Sequence, residues 1–64
     1  MQIKKGEIWR ISTKDEETII ILNGDVDTDQ DKKFSAQNAS DEMIYLQTKE
    51  VRWRNKIKSI RRKK

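Results

Sequence analysis

The sequence predicts a mainly β domain, and three observations carry that prediction. Residues 17–22 (ETIIIL) hold three consecutive isoleucines, and residues 1–12 are also rich in isoleucine and tryptophan, which favour strands. The dipeptide Asn23-Gly24, a strong turn signal, follows directly. A chain of 64 residues has room for one domain with a thin core. We therefore expect a small, partly open barrel of four or five strands.

The first elements follow one another in a simple order. Residues 1–12 are predicted to form a strand, with a bulge or a close approach of the backbone at Gly6. A polar turn at residues 13–16 leads into the isoleucine-rich strand. Residues 25–41 are rich in Asp, Ser, Asn and Gln, which predicts a loop with Phe34 as its one anchor in the core. Because this loop is long for a compact domain, part of it is expected to form a helical turn or a short edge strand.

Two further strands are predicted in the C-terminal half. Residues 43–46 would pair with residues 51–54 across a turn at residues 47–50. The valine and tryptophan of the second strand would point inward, and its two arginines outward. This arrangement makes residues 1–54 a single β-rich domain and residues 55–64 a basic tail or short helix.

The alternative is an α+β fold, in which two or three strands precede one long C-terminal helix. Ser40 would be the N-cap of that helix. One apolar stripe would hold four residues, at spacings of seven, four and three: Leu46, Trp53, Ile57 and Ile60. Several residues of this segment are mediocre helix formers, among them threonine, valine and asparagine, which favours the strands.

The distribution of charge is the most informative feature for function. The net charge is +4, but residues 1–32 carry five basic and eight acidic side chains, whereas residues 33–64 carry ten basic and three acidic ones. Basic side chains at this density neutralise phosphates and release counterions. The sequence therefore predicts a DNA- or RNA-binding protein with an accessory or regulatory role, of the kind made by phages and mobile elements.

The predicted contacts lie in the basic C-terminal region and in the first strand. An aromatic ring between two guanidinium groups is suited to stacking an unpaired base. The predicted nucleic-acid-binding residues are Arg52, Trp53, Arg54, Lys56, Lys58, Arg61, Arg62, Trp9 and Arg10. The competing interpretation places Trp53 in the core and the basic side chains on a solvated face.

The composition argues against catalysis and metal binding. The chain has no histidine and no cysteine, hence no imidazole or thiolate ligand and no proton shuttle at neutral pH. The alternating aspartates of residues 25–31 resemble the start of a calcium loop, but Gln30 replaces the required glycine and Ala36 the bidentate glutamate. We predict no enzyme activity, no cofactor and no metal site.

Residues Lys5-Gly6-Glu7-Ile8-Trp9 resemble the first strand of MazF/PemK-type toxin ribonucleases and of other Src-homology-3-type small barrels. There, a basic residue, a glycine, an acidic residue and an apolar-aromatic pair begin the barrel. The downstream motif of the ribonucleases is not found, so the resemblance does not imply their activity. It implies a small, strongly bent barrel, a fold that often binds nucleic acid or protein on an open face.

The alternative function is a protein-binding module or an inhibitor of a host enzyme. Three adjacent isoleucines exceed what one core face requires, so a protein partner or a homodimer is expected to use Ile19, Ile20 and Ile21. There is no secretory signal and no apolar run approaching roughly 20 residues. We therefore expect a cytoplasmic protein without membrane contact.

Overall fold

A computed structural model describes residues 1–58, which form two antiparallel β-sheets. The seven strands are β1 (Gln2–Ile3), β2 (Ile8–Ser12), β3 (Glu17–Leu22), β4 (Val26–Asp27), β5 (Lys33–Asn38), β6 (Met43–Gln47) and β7 (Arg52–Ile57), and a 3₁₀ helix spans Thr48–Glu50. The prediction of a mainly β protein is confirmed. The alternative with a long C-terminal helix is wrong, because β6 and β7 occupy the segment that the helix would need.

The larger sheet has five strands in the order β6-β5-β3-β2-β7, and β1 pairs with β4 in a separate two-stranded sheet. Neither sheet closes into a barrel within residues 1–58. The strand β7 continues to Ile57, three residues past the predicted end of the β-rich segment. None of the described residues belongs to a helix that is long and apolar enough to cross a membrane.

The hairpin of β2 and β3 confirms the predicted turn and the predicted strand at residues 17–22. The backbone N–H of Thr13 donates to the carbonyl of Glu16 at 2.7 Å and closes the turn. The first strand, in contrast, is interrupted between β1 and β2. Gly6 lies there with a φ of +86°, and its N–H donates to the carbonyl of Leu22 at 2.8 Å. Such a φ is readily adopted only by glycine.

The predicted loop at residues 25–41 is wrong for eight of its 17 residues. It contains β4 and the six-residue strand β5, which lies inside the sheet between β3 and β6 rather than at an edge. Phe34 contacts the core as predicted, and Ala36, two residues later, is fully buried. The apolar face of β5 thus consists of one large and one small residue, a weak signal in a polar sequence.

The predicted pairing of residues 43–46 with residues 51–54 is also wrong. The strand β6 pairs with β5, while β7 pairs with β2 at the opposite edge of the sheet. The intervening 3₁₀ helix redirects the chain: Thr48 is buried, and its N–H and hydroxyl both donate to the carbonyl of Lys32, at 2.9 and 2.7 Å. Val51 points inward, as predicted.

The core is small and consists mainly of branched aliphatic side chains. Ile3, Ile11, Ile20 and Leu22 are almost completely buried, and half-buried residues surround them: Trp9, Phe34, Ile44, Leu46 and Trp53. Each fully buried aliphatic side chain contributes about 1.5–3 kcal/mol. Both sheets supply members of this core, with Ile3 from β1 and the other three from β2 and β3.

Candidate nucleic-acid interface

The predicted nucleic-acid contacts meet along two paired strands. Trp9 and Arg10 lie on β2, which pairs with β7. Five others lie on β7 or directly after it: Arg52, Trp53, Arg54, Lys56 and Lys58. Arg61 and Arg62 lie outside the described residues. The strand β7 forms an edge of the five-stranded sheet, so one side of its backbone is unpaired within residues 1–58.

A register shift in β7 determines which way its side chains point. Trp53 pairs with Ile11 and Lys56 pairs with Trp9, and the register shifts between these pairs, so that Arg54 is the extra residue. Directly paired residues share a face of the sheet. Trp53 and Lys56 therefore share a face although they are three residues apart. In a strand without the bulge, side chains would alternate regularly between the two faces, and Lys56 would share a face with Arg52 and Arg54.

Basic side chains gather around both ends of β7. At its start, Lys14, Arg52 and Arg54 line a shallow depression of about 410 Å³ that Glu50 also borders. At its end, a depression of about 460 Å³ is lined by Lys5, Glu7, Lys56 and Lys58, among others. We call these six basic residues the basic edge: Lys5, Lys14, Arg52, Arg54, Lys56 and Lys58.

Two basic side chains of β2 and β7 have acidic partners. Lys56 Nζ lies 3.5 Å from Glu7 Oε2, and Arg10 Nε lies 3.9 Å from Glu17 Oε1. The other five members of the basic edge have no acidic group within ion-pair distance in the described part of the chain. Most of the charge of the basic edge is therefore available to an anionic ligand.

Glu7 joins the basic edge to the first tryptophan. The indole Nε1 of Trp9 donates to Glu7 Oε1 at 2.9 Å, and Lys56 approaches the other carboxylate oxygen. The Trp9 hydrogen bond, followed by the charge of Lys56, lowers the pKa of Glu7 below its ordinary value and outweighs the opposing effect of desolvation. Glu7 is therefore ionised at neutral pH and neutralises Lys56.

The aspartates of residues 25–31 interact with the N-terminal segment and with Gln47, not with β7. Asp25 accepts a hydrogen bond from the backbone N–H of Lys5 at 2.8 Å and lies 3.9 Å from Lys4 Nζ. Asp29 lies 3.2 Å from the N-terminal amine, and Asp31 accepts from Gln47. These carboxylates thus do not neutralise the side chains of β7. Within residues 1–58 the acidic residues form no cluster of three or more that could hold a metal ion.

The two tryptophans pack against each other on the core-facing side. The rings of Trp9 and Trp53 meet edge to face with centroids 5.7 Å apart, and Trp53 also stacks on Phe34 at 5.6 Å. Both indoles are half-buried against the core. The Nε1 of Trp53 is buried without a hydrogen-bond partner in the described residues. A base could therefore stack only on the part of each ring that remains exposed.

The three adjacent isoleucines do not form one surface. Ile20 is fully buried, so its predicted role in a partner contact is wrong. Ile19 and Ile21 are half-buried on the other face, where Ile21 pairs with Ile8, and Ile8 pairs with Ile57 of β7. We call the four outward-facing residues the isoleucine patch: Ile8, Ile19, Ile21 and Ile57.

Sequence reasoning missed two basic residues, Lys5 and Lys14. Both are far from β7 in the sequence, and they join it only because β2 pairs with β7. The position of Lys14 in the predicted turn after the first strand was visible, but the pairing partner of that strand was not.

Comparisons of the chain with protein-family models, with curated proteins and with solved structures found no significant match. The function must therefore be inferred from the arrangement of the residues.

Proposed function

We propose that this protein binds nucleic acid through the basic edge. The proposal is supported by the lack of charge compensation on β7. Arg52, Arg54 and Lys58 have no acidic partner in the described residues, and Asp25 and Asp29 interact with the N-terminal segment instead. Uncompensated cations along an exposed edge strand attract phosphates. The accessory or regulatory role of a phage or mobile-element protein belongs to the same proposal.

The dimensions of β7 suit this role. A strand of six residues is about 20 Å long, and successive phosphates of a B-form strand are about 3.4 Å apart along the axis. The basic edge could therefore lie along several successive phosphates. Contacts to phosphates position the ligand without reading its sequence, so we expect binding that depends strongly on salt and weakly on sequence.

The tryptophans would add a contact to bases. Trp53 lies on β7 between Arg52 and Arg54, so a phosphate bound by either arginine would bring its nucleotide close to this indole. An unpaired base could then stack on the exposed part of Trp9 or Trp53. This arrangement favours single strands over duplexes.

Gel-shift titrations with matched single- and double-stranded probes at two salt concentrations test the proposal. Arg52→Gln/Arg54→Gln should weaken binding by about tenfold or more, because each phosphate contact contributes separately. Lys32→Gln/Lys33→Gln is the matched control: it removes the same charge from the side of β5, and both side chains are exposed. Equal affinities of the two variants would refute the assignment to the basic edge.

A second candidate function, protein binding, is favoured by the isoleucine patch. Four half-buried isoleucines from three neighbouring strands form an apolar area that the core does not use. A pull-down in high salt separates the two functions, because apolar association survives screening and phosphate binding does not. Ile19→Lys should abolish the binding of a partner protein to the isoleucine patch and leave nucleic-acid binding intact.

A further inference from the structure

The two edges of the five-stranded sheet differ in chemistry. The strand β7 is charged at Arg52, Arg54 and Lys56 and contains a bulge, both devices that prevent one sheet from pairing with another. The strand β6 (MIYLQ) has no charged residue, and it pairs with β5 in unbroken register. Its Met43 and Tyr45 side chains are 56% and 74% exposed.

The free side of β6 is a template for a further strand. Within residues 1–58, β6 is hydrogen-bonded only to β5, which leaves alternate N–H and C=O groups on its other side without a protein partner. An uncharged edge of five residues with exposed apolar side chains favours addition of a strand. The question is which strand fits.

The sequence around β6 is complementary to itself in the antiparallel direction. With a two-fold axis at Tyr45, Ile44 lies opposite Leu46 of the second copy, and Met43 lies opposite Gln47. The acidic residues Asp41 and Glu42 precede β6, and Lys49 follows it. Pairing about Tyr45 brings the acidic pair of each copy close to the other copy's 3₁₀ helix, which carries Lys49 ahead of Glu50. The two-fold symmetry forms this contact twice.

We propose that β6 pairs antiparallel with β6 of a second copy, which joins the two five-stranded sheets into one sheet of ten. The corresponding pairing of β7 with itself would place arginines and lysines of like charge side by side, which is destabilising. An interface of two five-residue strands is smaller than that of a stable dimer, so the association is weak and depends on concentration.

Sedimentation equilibrium of the whole chain between about 10 µM and 1 mM tests the proposal, because weak dimers dissociate in this range. Tyr45→Lys places two like charges at the symmetry axis and should weaken association by about tenfold or more. Lys49→Glu should also weaken it, and the double variant Glu42→Lys/Lys49→Glu should recover part of the lost affinity, because Asp41 stays acidic. Lys14→Glu, an equal charge reversal in the β2–β3 turn, should leave the dimerisation constant unchanged.

Two results would overturn the proposal. The first is a chain that stays monomeric at about 1 mM, since β6 would then not pair with a second copy. The second is a dimer that is insensitive to Tyr45→Lys and Lys49→Glu, since it would use another surface. Should Tyr45→Lys unfold the domain, as judged by circular dichroism, two results decide instead: the loss of affinity in Lys49→Glu and its partial recovery in Glu42→Lys/Lys49→Glu. The inference is independent of nucleic-acid binding, because β6 and β7 lie at opposite edges of the sheet.

Discussion

At the scale of single residues, the alternation of side chains along β3 separates neighbours with the same chemistry. Ile20 is 0% exposed and packs in the core, whereas Ile19, which is adjacent in sequence, is half-buried on the opposite face. The composition of the strand was visible in the sequence, but the face that each isoleucine occupies depended on the register with β2 and β5. The stability of the domain should reflect this difference.

Ile20→Val should lower the free energy of unfolding by about 0.5–1.5 kcal/mol, because it removes a buried methyl group and leaves a small cavity. Ile19→Val, the matched control, should change it by no more than about 0.5 kcal/mol. Urea unfolding followed by tryptophan fluorescence measures both. Equal losses in the two variants would mean that the two isoleucines are equally buried.

Glu7 predicts a pH dependence of stability. Its pKa is lowered in the folded protein, so its contribution is complete above the ordinary value of 4.5 and is lost as the pH falls through the folded pKa. Glu7→Gln lacks this contribution. The difference in unfolding free energy between the parent and Glu7→Gln should therefore shrink as the pH is lowered below 4.5. A difference that stays constant down to about pH 2 would contradict the assigned interactions.

At the scale of elements, the strands with a strong isoleucine pattern could be predicted and those with a polar pattern could not. The strand β3 matches its predicted bounds, whereas the sequence of β5 predicts a loop, because Phe34 and Ala36 are its only core residues. The strand β7 was predicted, but its bulge was not, since an extra residue leaves no mark in the sequence. Consequently, the direction of Lys56 could only come from the structure.

The 3₁₀ helix at Thr48–Glu50 connects β6 and β7, which lie at opposite edges of the sheet, and Thr48 attaches it to Lys32, the residue before β5. The Thr48 hydroxyl donates to the carbonyl of Lys32 and accepts from its N–H, at 2.7 and 3.3 Å. Thr48→Val should cost about 1 kcal/mol of stability, because it removes both hydroxyl hydrogen bonds and leaves the part-buried N–H of Lys32 unpaired. Thermal unfolding measures the loss, and Thr48→Ser, which keeps the hydroxyl, should retain more of the stability. Equal melting temperatures of the two variants would exclude the hydroxyl as the cause.

At the scale of the whole molecule, the uneven charge of the sequence becomes a spatial separation. The acidic loop binds the N-terminal amine, Lys4 and the backbone of Lys5, while β7 and its neighbours keep most of their positive charge. The sequence predicted the C-terminal half of this surface. It could not predict Lys5 and Lys14, because these residues join β7 through long-range strand pairing, which composition does not encode.

The dependence of nucleic-acid affinity on salt tests the basic edge most directly. Five phosphate contacts, one for each unpaired cation of the basic edge, predict a slope of about −3 to −4 for log K against log salt with single-stranded DNA. Arg52→Gln/Arg54→Gln should make that slope less steep by about 1 to 2, and Lys32→Gln/Lys33→Gln should leave it unchanged. A slope near zero for the parent, or the same slope for parent and Arg52→Gln/Arg54→Gln, would contradict phosphate binding by β7.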